Sequence, residues 1–160
     1  SEPDQVGVED ELLRKKDKVP NLKGAEANGL KSGSFDELAQ SLESGEIKAL
    51  YVIERDLTRI FGDKTSLLLS KAKTSILQGP NKGPLGDSYH YRLPATAYVE
   101  EEGHFTNFEG KTQPYQKALA PIGDSRPDWA IFGLLQKALS GATISAAEMP
   151  SIFASSSRSA

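Results

Sequence analysis

A chain of 160 residues, 38% hydrophobic and with a formal net charge of −3, is long enough for one packed core and carries no basic footprint for nucleic acid. It contains no cysteine, which excludes disulfides, cysteine-held zinc, iron–sulfur ligation and a cysteine nucleophile within these residues. Its longest apolar runs, "ALYVI" and "LLL", fall far short of the roughly 20 residues a membrane span needs.

Residues 1–33 are polar, mixed in charge and rich in Gly and Asn. "VEDELLRKKDK" predicts a short helix supported by Glu11 and Lys15 at i, i+4, with Pro20 closing it. From there to "NGLKSGS" the glycines Gly24, Gly29 and Gly33 break any period, so a looped or extended lead-in is expected. The start has neither an initiator Met nor an apolar leader core, and the reading favoured is a piece of a longer protein.

Ser34 and Glu37 make a capping box, and Phe35, Leu38, Ala39 and Leu42 share one face of the helix that follows, with Gly45 as its stop. "IKALYVI", residues 47–53, reads as a buried strand because it is short, apolar and rich in branched and aromatic residues. A second helix is expected over residues 64–73, capped near Asp63 with Leu67 and Leu68 inward, and "TSILQ" (74–78) as a second buried strand. Helix, strand, helix, strand in this order is the pattern of a right-handed parallel α/β unit.

Past "GPNKGPLGD" the pattern changes. "YRLP" is a third short strand ended by Pro94. Residues 105–108 and 111–115 pair as a hairpin across Glu109-Gly110, with Pro114 confining its strand to an edge. "DSRPDW" opens a helix in which Pro127 suits the first position, Asp124 or Ser125 lies near the cap, and Trp129, Phe132, Leu135 and Leu139 form the inward stripe. Gly141 stops it. Ser145 with Glu148 caps a short last helix, and the Ser-rich tail after Phe153 is expected to fray.

The fold class is therefore α/β: a partial doubly wound parallel sheet (a Rossmann-like half), an irregular crossing, a small hairpin and C-terminal helices. Three segments are expected: a lead-in over 1–33, the α/β domain over 34–142, and a short helix with tail over 143–160.

Few residues point to chemistry. Glu100, Glu101 and Glu102 read as a solvated charge run, since consecutive loop residues point apart. His90 and His104 are the only histidines, and their spacing fits no metal motif; a zinc site from them with Glu101 is the remote alternative. "GPNKGPLGD" follows a strand, where ligands bind in open α/β sheets, but it lacks the G-x-x-x-x-G-K-S/T order that cradles phosphate. No serine stands in a nucleophile elbow.

"RLPATAYVEEEGHFTNFEGKTQ" resembles the phrase D-V-V-L-P-A-x-x-x-x-E-x-x-G-T-F-T-N-x-E-G-R-x-Q of the molybdopterin oxidoreductase superfamily. "PIGDSRPDWAIF" is similar to the family's P-x-G-x-x-R-P-D-W-x-I, "IKALYVIERD" to the strand phrase V-K-A-L-Y-V-x-G-x-N-P, and "SILQGPNK" stands in the place of the next strand. "PNLKGAEANGL" resembles a phrase of one branch, the large iron–sulfur (G-type) subunit of NADH:quinone oxidoreductase, respiratory complex I. The resemblance spans residues 19–139.

The resemblance implies that the irregular stretch is a structural crossing between α/β units. It also implies a parent that carries electrons from NADH to quinone through iron–sulfur clusters held outside this chain. The expected partners are the rest of its own subunit and other peripheral-arm subunits, on the cytoplasmic side of a bacterial inner membrane. Three departures bear on a pterin-guanine cofactor: Ile53-Glu54-Arg55-Asp56 where the family has Gly-x-Asn-Pro, Arg92 in place of a buried Val, and Lys111 in place of Arg. The expectation is thus a non-catalytic scaffold with no catalytic, metal or cofactor residue. In the alternative, a catalytic molybdenum or tungsten oxidoreductase such as a formate dehydrogenase-like enzyme, Arg55, Asn81 and Lys82 contact the pterin phosphates. A free-standing α/β binding module is the third reading.

Overall fold

The computed structural model describes residues 21–30, 33–143 and 153–154. The first expected helix and the Ser145–Glu148 capping box lie outside these residues. The chain divides into two compact units: the described part of residues 1–33 with 102–117, and 34–101 with 118 onward.

The smaller unit holds α1 (Leu22–Ala27) and an antiparallel pair described below. In the larger unit Ser34 begins helix α2 (Phe35–Glu43) with both hydrogen bonds of its capping box: the Glu37 N–H donates to Ser34 Oγ and the Ser34 N–H to the Glu37 carboxylate, each at 3.1 Å. Gly45, at φ 76°, ends the element in the left-handed conformation that a side chain disfavours. Strand β1 (Ala49–Ile53) pairs in parallel with β2 (Thr74–Gly79), Tyr51 opposite Ile76, and β2 pairs in parallel with β3 (Tyr91–Pro94), Gln78 opposite Leu93. The three-stranded parallel sheet expected from the apolar runs is thus present. One element was not anticipated: β6 (Phe153–Ala154) adds antiparallel to the outer edge of β3.

Between β1 and β2 lie α3 (Thr58–Phe61), a 3-10 turn at Gly62–Lys64 and α4 (Thr65–Lys71). Leu67 and Leu68 were expected to face inward. The buried pair is Leu68 and Leu69, and Leu67 is 57% exposed. Thr65, itself buried, starts the helix with its hydroxyl bonded back to the Gly62 carbonyl at 2.7 Å, and Thr65, Leu68 and Leu69 share the buried face at i, i+3, i+4. Leu69, Leu68, Leu42, Leu50, Val52 and Leu77 close one face of the sheet.

The other face is covered by α5 (Asp128–Leu139), and its core is small: Leu93, Ala95 and Ile131, with Tyr51, Ile76 and Leu135 against them. Here too the expected stripe is corrected. Ile131 is fully buried, whereas Trp129 and Leu139 are 65% and 89% exposed. Apolar residues occupy both sides of this helix, so its periodicity does not choose a face. Phe132 makes an edge-on contact with Tyr51, ring centroids 6.3 Å apart.

The antiparallel pair of the smaller unit is β4 (Gly103–Thr106) with β5 (Thr112–Tyr115). A loop was expected where α1 stands. Asn21, at φ 63°, turns the chain into this short helix, and its side-chain oxygen accepts from the Thr106 N–H at 2.9 Å. A Cβ on Gly24 would lie 2.4 Å from that same oxygen, which is why glycine is tolerated inside the helix. The hairpin is displaced two residues from its expected start. Asn107 Oδ1 accepts from the N–H groups of Glu109 and Lys111, gathering residues 107–111 into the turn. Phe105 and Tyr115 stack with centroids 5.0 Å apart, and His104 is exposed on β4.

Candidate functional site: the carboxyl ends of the parallel strands

Beyond the carboxyl ends of β1 and β2 the larger unit opens into a cleft of 590 Å³, lined among others by Glu54, Arg55, Asp56, Gln78, Asn81 and Lys82. Parallel strands end their side-chain ladder there while the connecting loops splay apart, which is where ligands sit in open α/β sheets. Arg55, Asn81 and Lys82, singled out under the cofactor reading, all line this one cleft.

The turn after β1 has an unusual backbone. Glu54 adopts φ 51°, the left-handed region that costs a residue with a Cβ about 1–2 kcal/mol. Laid along residues 47–57, the phrase V-K-A-L-Y-V-x-G-x-N-P sets its Gly-x-Asn-Pro on Glu54-Arg55-Asp56-Leu57, one residue later than the run 53–56 first set against it. Glu54 thus holds a backbone conformation that glycine favours. The Glu54 N–H donates to the Gln78 carbonyl at 2.7 Å, extending the ladder past the strand proper and holding the turn in place.

Asp56 is engaged with its own chain. Its Oδ1 accepts from the Thr58 N–H at 2.9 Å and from the Thr58 hydroxyl at 2.6 Å, opening α3, and these bonds, the hydroxyl's first, hold the carboxyl below its usual pKa. This two-residue turn leads the chain into α3 directly after β1. A search for a long apolar period passes over it.

At the end of β2, Gln78 is fully buried and engaged on both sides of its amide. The Tyr51 hydroxyl donates to Gln78 Oε1, and Gln78 Nε2 donates to Asp128 Oδ1 at 2.6 Å. Burial, and secondarily the Asp128 charge, push the Tyr51 hydroxyl up to about 12. Fifty residues separate Gln78 from Asp128, so nothing local in the sequence announces this chain of bonds.

Asp128 is brought there by the two most distinctive phrases of the chain. The Arg126 N–H donates to the Pro94 carbonyl at 3.2 Å and the Thr96 N–H to the Arg126 carbonyl at 3.0 Å. "LPAT" and "RPDW" are thereby stitched together as an extension of β3, and α5 starts over the strand ends. The irregular stretch continues with a 3-10 turn at Tyr98–Glu100. Glu100, expected to be solvated, is buried, its carboxylate accepting from the Ala97 N–H at 2.9 Å. Glu101 accepts from the Thr96 hydroxyl at 3.2 Å.

The cleft lining carries both signs, Glu54 and Asp56 beside Arg55, Arg59 and Lys82. Glu54 is exposed as a residue, yet its carboxyl lies partly desolvated against the cleft wall. That desolvation, then the charges of Asp128 and Glu101, raises its pKa above the ordinary 4.5. His90 is anchored elsewhere: its Nδ1 lies 3.0 Å from the Ser75 N–H and 2.8 Å from the buried Ser75 hydroxyl. Among the described residues no group of three or more His, Cys, Asp or Glu is arranged to hold a metal ion.

A parallel sheet with a cleft at its carboxyl ends has the form of an open α/β unit, and the comparison with known families identifies which. The chain belongs to the molybdopterin oxidoreductase family, whose model matches residues 14–138. It is 35% identical over 107 residues to the alpha subunit of the NADPH-Fe(3+) oxidoreductase of Geobacter sulfurreducens, covering 66% of this chain and 13% of that one. It is 32% identical over 114 residues to the NADH-quinone oxidoreductase G 2 subunit of Rhizobium meliloti, covering 70% and 13%. A putative formate dehydrogenase of Staphylococcus haemolyticus is 31% identical over 115 residues, covering 70% and 12%. The chain thus spans about an eighth of the length of these relatives. No helix among the described residues is long and apolar enough to cross a membrane.

Proposed function

We propose that this chain is a non-catalytic packing segment of the large iron–sulfur (G-type) subunit of an NADH:quinone oxidoreductase. The parent passes electrons from NADH to quinone through iron–sulfur clusters held by other parts of its sequence. Its partners are the remainder of its own subunit and neighbouring peripheral-arm subunits, on the cytoplasmic side of a bacterial inner membrane.

One observation carries the reading: Glu54 stands in a glycine's backbone conformation at the turn where a cofactor phosphate would approach the sheet. Desolvation, then the charges of Asp128 and Glu101, raise the pKa of its carboxyl, and a carboxylate at that point opposes an approaching phosphate. Asp56, at the family's asparagine, spends an oxygen on capping α3. Both substitutions speak for the scaffold reading.

The second reading, a cofactor-holding segment of a molybdenum or tungsten oxidoreductase, draws on Arg55, Asn81 and Lys82 lining one cleft. Under it those three side chains would contact the pterin phosphates, and the formate dehydrogenase relatives lend it support.

The test is metal analysis of the full-length parent purified from its own host. Several irons per chain without molybdenum, tungsten or releasable pterin is the expected result. Stoichiometric molybdenum or tungsten overturns the scaffold reading.

A further inference from the structure

The two edges of the four-stranded sheet are finished differently. Its order is β1-β2-β3-β6, so β6 lies beyond β3 on one side and β1 is the outer strand on the other. Strand β3 carries Arg92 and Pro94, and β6 pairs along it. Among the described residues no strand pairs with the outer side of β1. The Thr74 N–H donates to the Lys48 carbonyl at 3.0 Å and the Glu54 N–H to the Gln78 carbonyl, which turns the even-numbered residues of this stretch toward β2. Successive residues of a strand direct their backbone groups to opposite sides, so the N–H and C=O of Ala49, Tyr51 and Ile53 point to the open side.

Nothing in this strand guards that side. "ALYVI" has no charge and no proline, and its register with β2 runs unbroken, so the devices that keep an edge strand from pairing are missing. Both its faces are apolar. Leu50 and Val52 are buried with the leucines of α4, while Tyr51 and Ile53 turn to the α5 face. That composition belongs to a strand inside a parallel sheet, covered on both faces, yet Ile53 is 42% exposed. Helix α5 continues the surface. Its Phe132 ring meets Tyr51, and Trp129 stands one turn before it, both exposed. With Ile131 buried on the sheet and these two rings uncovered, the helix is apolar on both sides, the character of one enclosed between two layers.

We propose that the open edge of β1 receives a further strand from the rest of the same polypeptide, running parallel to β1 and apolar on both faces, and that the segment joined to this strand covers Phe132 and Trp129. The inference rests on the reading of this chain as a segment of a larger subunit, and it names the part of that subunit that β1 meets. The chain spans about an eighth of the length of its relatives, so the parent has ample chain to supply the strand. A strand joined covalently also meets the edge at a high effective concentration, which favours it over a second copy or a separate subunit. Backbone hydrogen bonds from three residues hold it, and the apolar strip selects its side chains.

The experiment is hydrogen exchange on the full-length parent, read at single residues by mass spectrometry. The amides of Ala49, Tyr51 and Ile53 are expected to exchange at least about a hundredfold more slowly than unstructured amides, as those of Leu50 and Val52 do. Free exchange at the three beside protected Leu50 and Val52 overturns the proposal. Photo-crosslinking then identifies the occupant, with p-benzoylphenylalanine placed at Ile53 and, in a second variant, at the more exposed Trp129, where a bulky ring leaves the fold intact. The expected product has the mass of one chain and joins the probe to an apolar stretch outside the 160 residues. Crosslinks confined to these residues, or made to a second copy or a different subunit, overturn the proposal. Metal analysis reads the function and these measurements read the sheet, so either can fail alone.

Discussion

Replacing Glu54 with glycine is expected to stabilise the protein, although the substitution removes a whole side chain. In the folded state Glu54 holds φ 51°, which costs an L-residue about 1–2 kcal/mol and glycine nothing. Glycine gives back about 0.4–1 kcal/mol through the greater freedom of its unfolded chain. The backbone balance is therefore a gain of about 0.5–1 kcal/mol, or roughly 1–4 °C in melting temperature for a chain of this size. Charge adds in the same direction. The Glu54 pKa is raised by desolvation and by Asp128 and Glu101, so the folded state binds this proton more tightly than the unfolded chain does. Its contribution to stability is complete below the ordinary value of 4.5 and is lost as pH rises through the elevated folded value.

Denaturant titration at pH 7 and at a series of lower pH values separates the two effects. Glu54→Gln removes the charge and keeps the left-handed side chain; Glu54→Gly removes both. Both variants should lack the loss of stability that the parent shows just above pH 4.5. The glycine variant should also remain the more stable of the two at every pH. A glycine variant less stable than the parent at pH 7 would refute the reasoning, since it would mean that Glu54 makes contacts worth more than its backbone strain.

Two further outcomes follow from the packing and from the bonds at the strand ends. Leu69→Ala should cost about 2–5 kcal/mol and Leu67→Ala no more than about 0.5 kcal/mol, because the first is fully buried and the second is 57% exposed; equal effects in denaturant titrations would show that α4 faces otherwise. Tyr51→Phe should lose about 1 kcal/mol at neutral pH by leaving Gln78 Oε1 without its donor. The same variant should escape the alkaline loss of stability that a tyrosine raised from 10.0 to about 12 imposes as pH climbs between those values, and a pH series on both proteins reads this directly.

Much of this architecture is legible in the sequence because local rules and tertiary needs agree. The Ser34–Glu37 box forms as written, since its two hydrogen bonds close within one helical turn. Strands β1 and β2 are legible because a strand covered on both faces has little choice but a short apolar run; β3, four residues with an arginine, is marked by the proline that ends it. Legibility fails where a signal is shorter than one period or where two faces compete. Helix α3 is one turn long and owes its start to the Asp56 side chain, so no periodicity marks it. Helix α5 carries Trp129, Phe132 and Leu139 on one side and Ile131 on another; only the sheet it lands on selects Ile131. Glu100 reads as one of three solvated acids until the 3-10 turn folds it back onto the Ala97 N–H.

The candidate site is harder to read for a different reason: its defining features are conformations and long-range bonds. Nothing in "VIERD" says that Glu54 keeps a glycine's φ, and nothing near Gln78 says that Asp128 will close its amide. Yet the features interlock. The stitch between Pro94, Thr96 and Arg126 delivers Asp128; Asp128 satisfies Gln78; and the same carboxylate raises the pKa of Glu54. The elements that extend β3 therefore also set the surroundings of Glu54 at the β1 turn. The charges that line the cleft are mixed, Glu54 and Asp56 beside Arg55, Arg59 and Lys82; the left-handed backbone at Glu54 and the closed Tyr51–Gln78–Asp128 chain, not a net field of one sign, set this strand end apart.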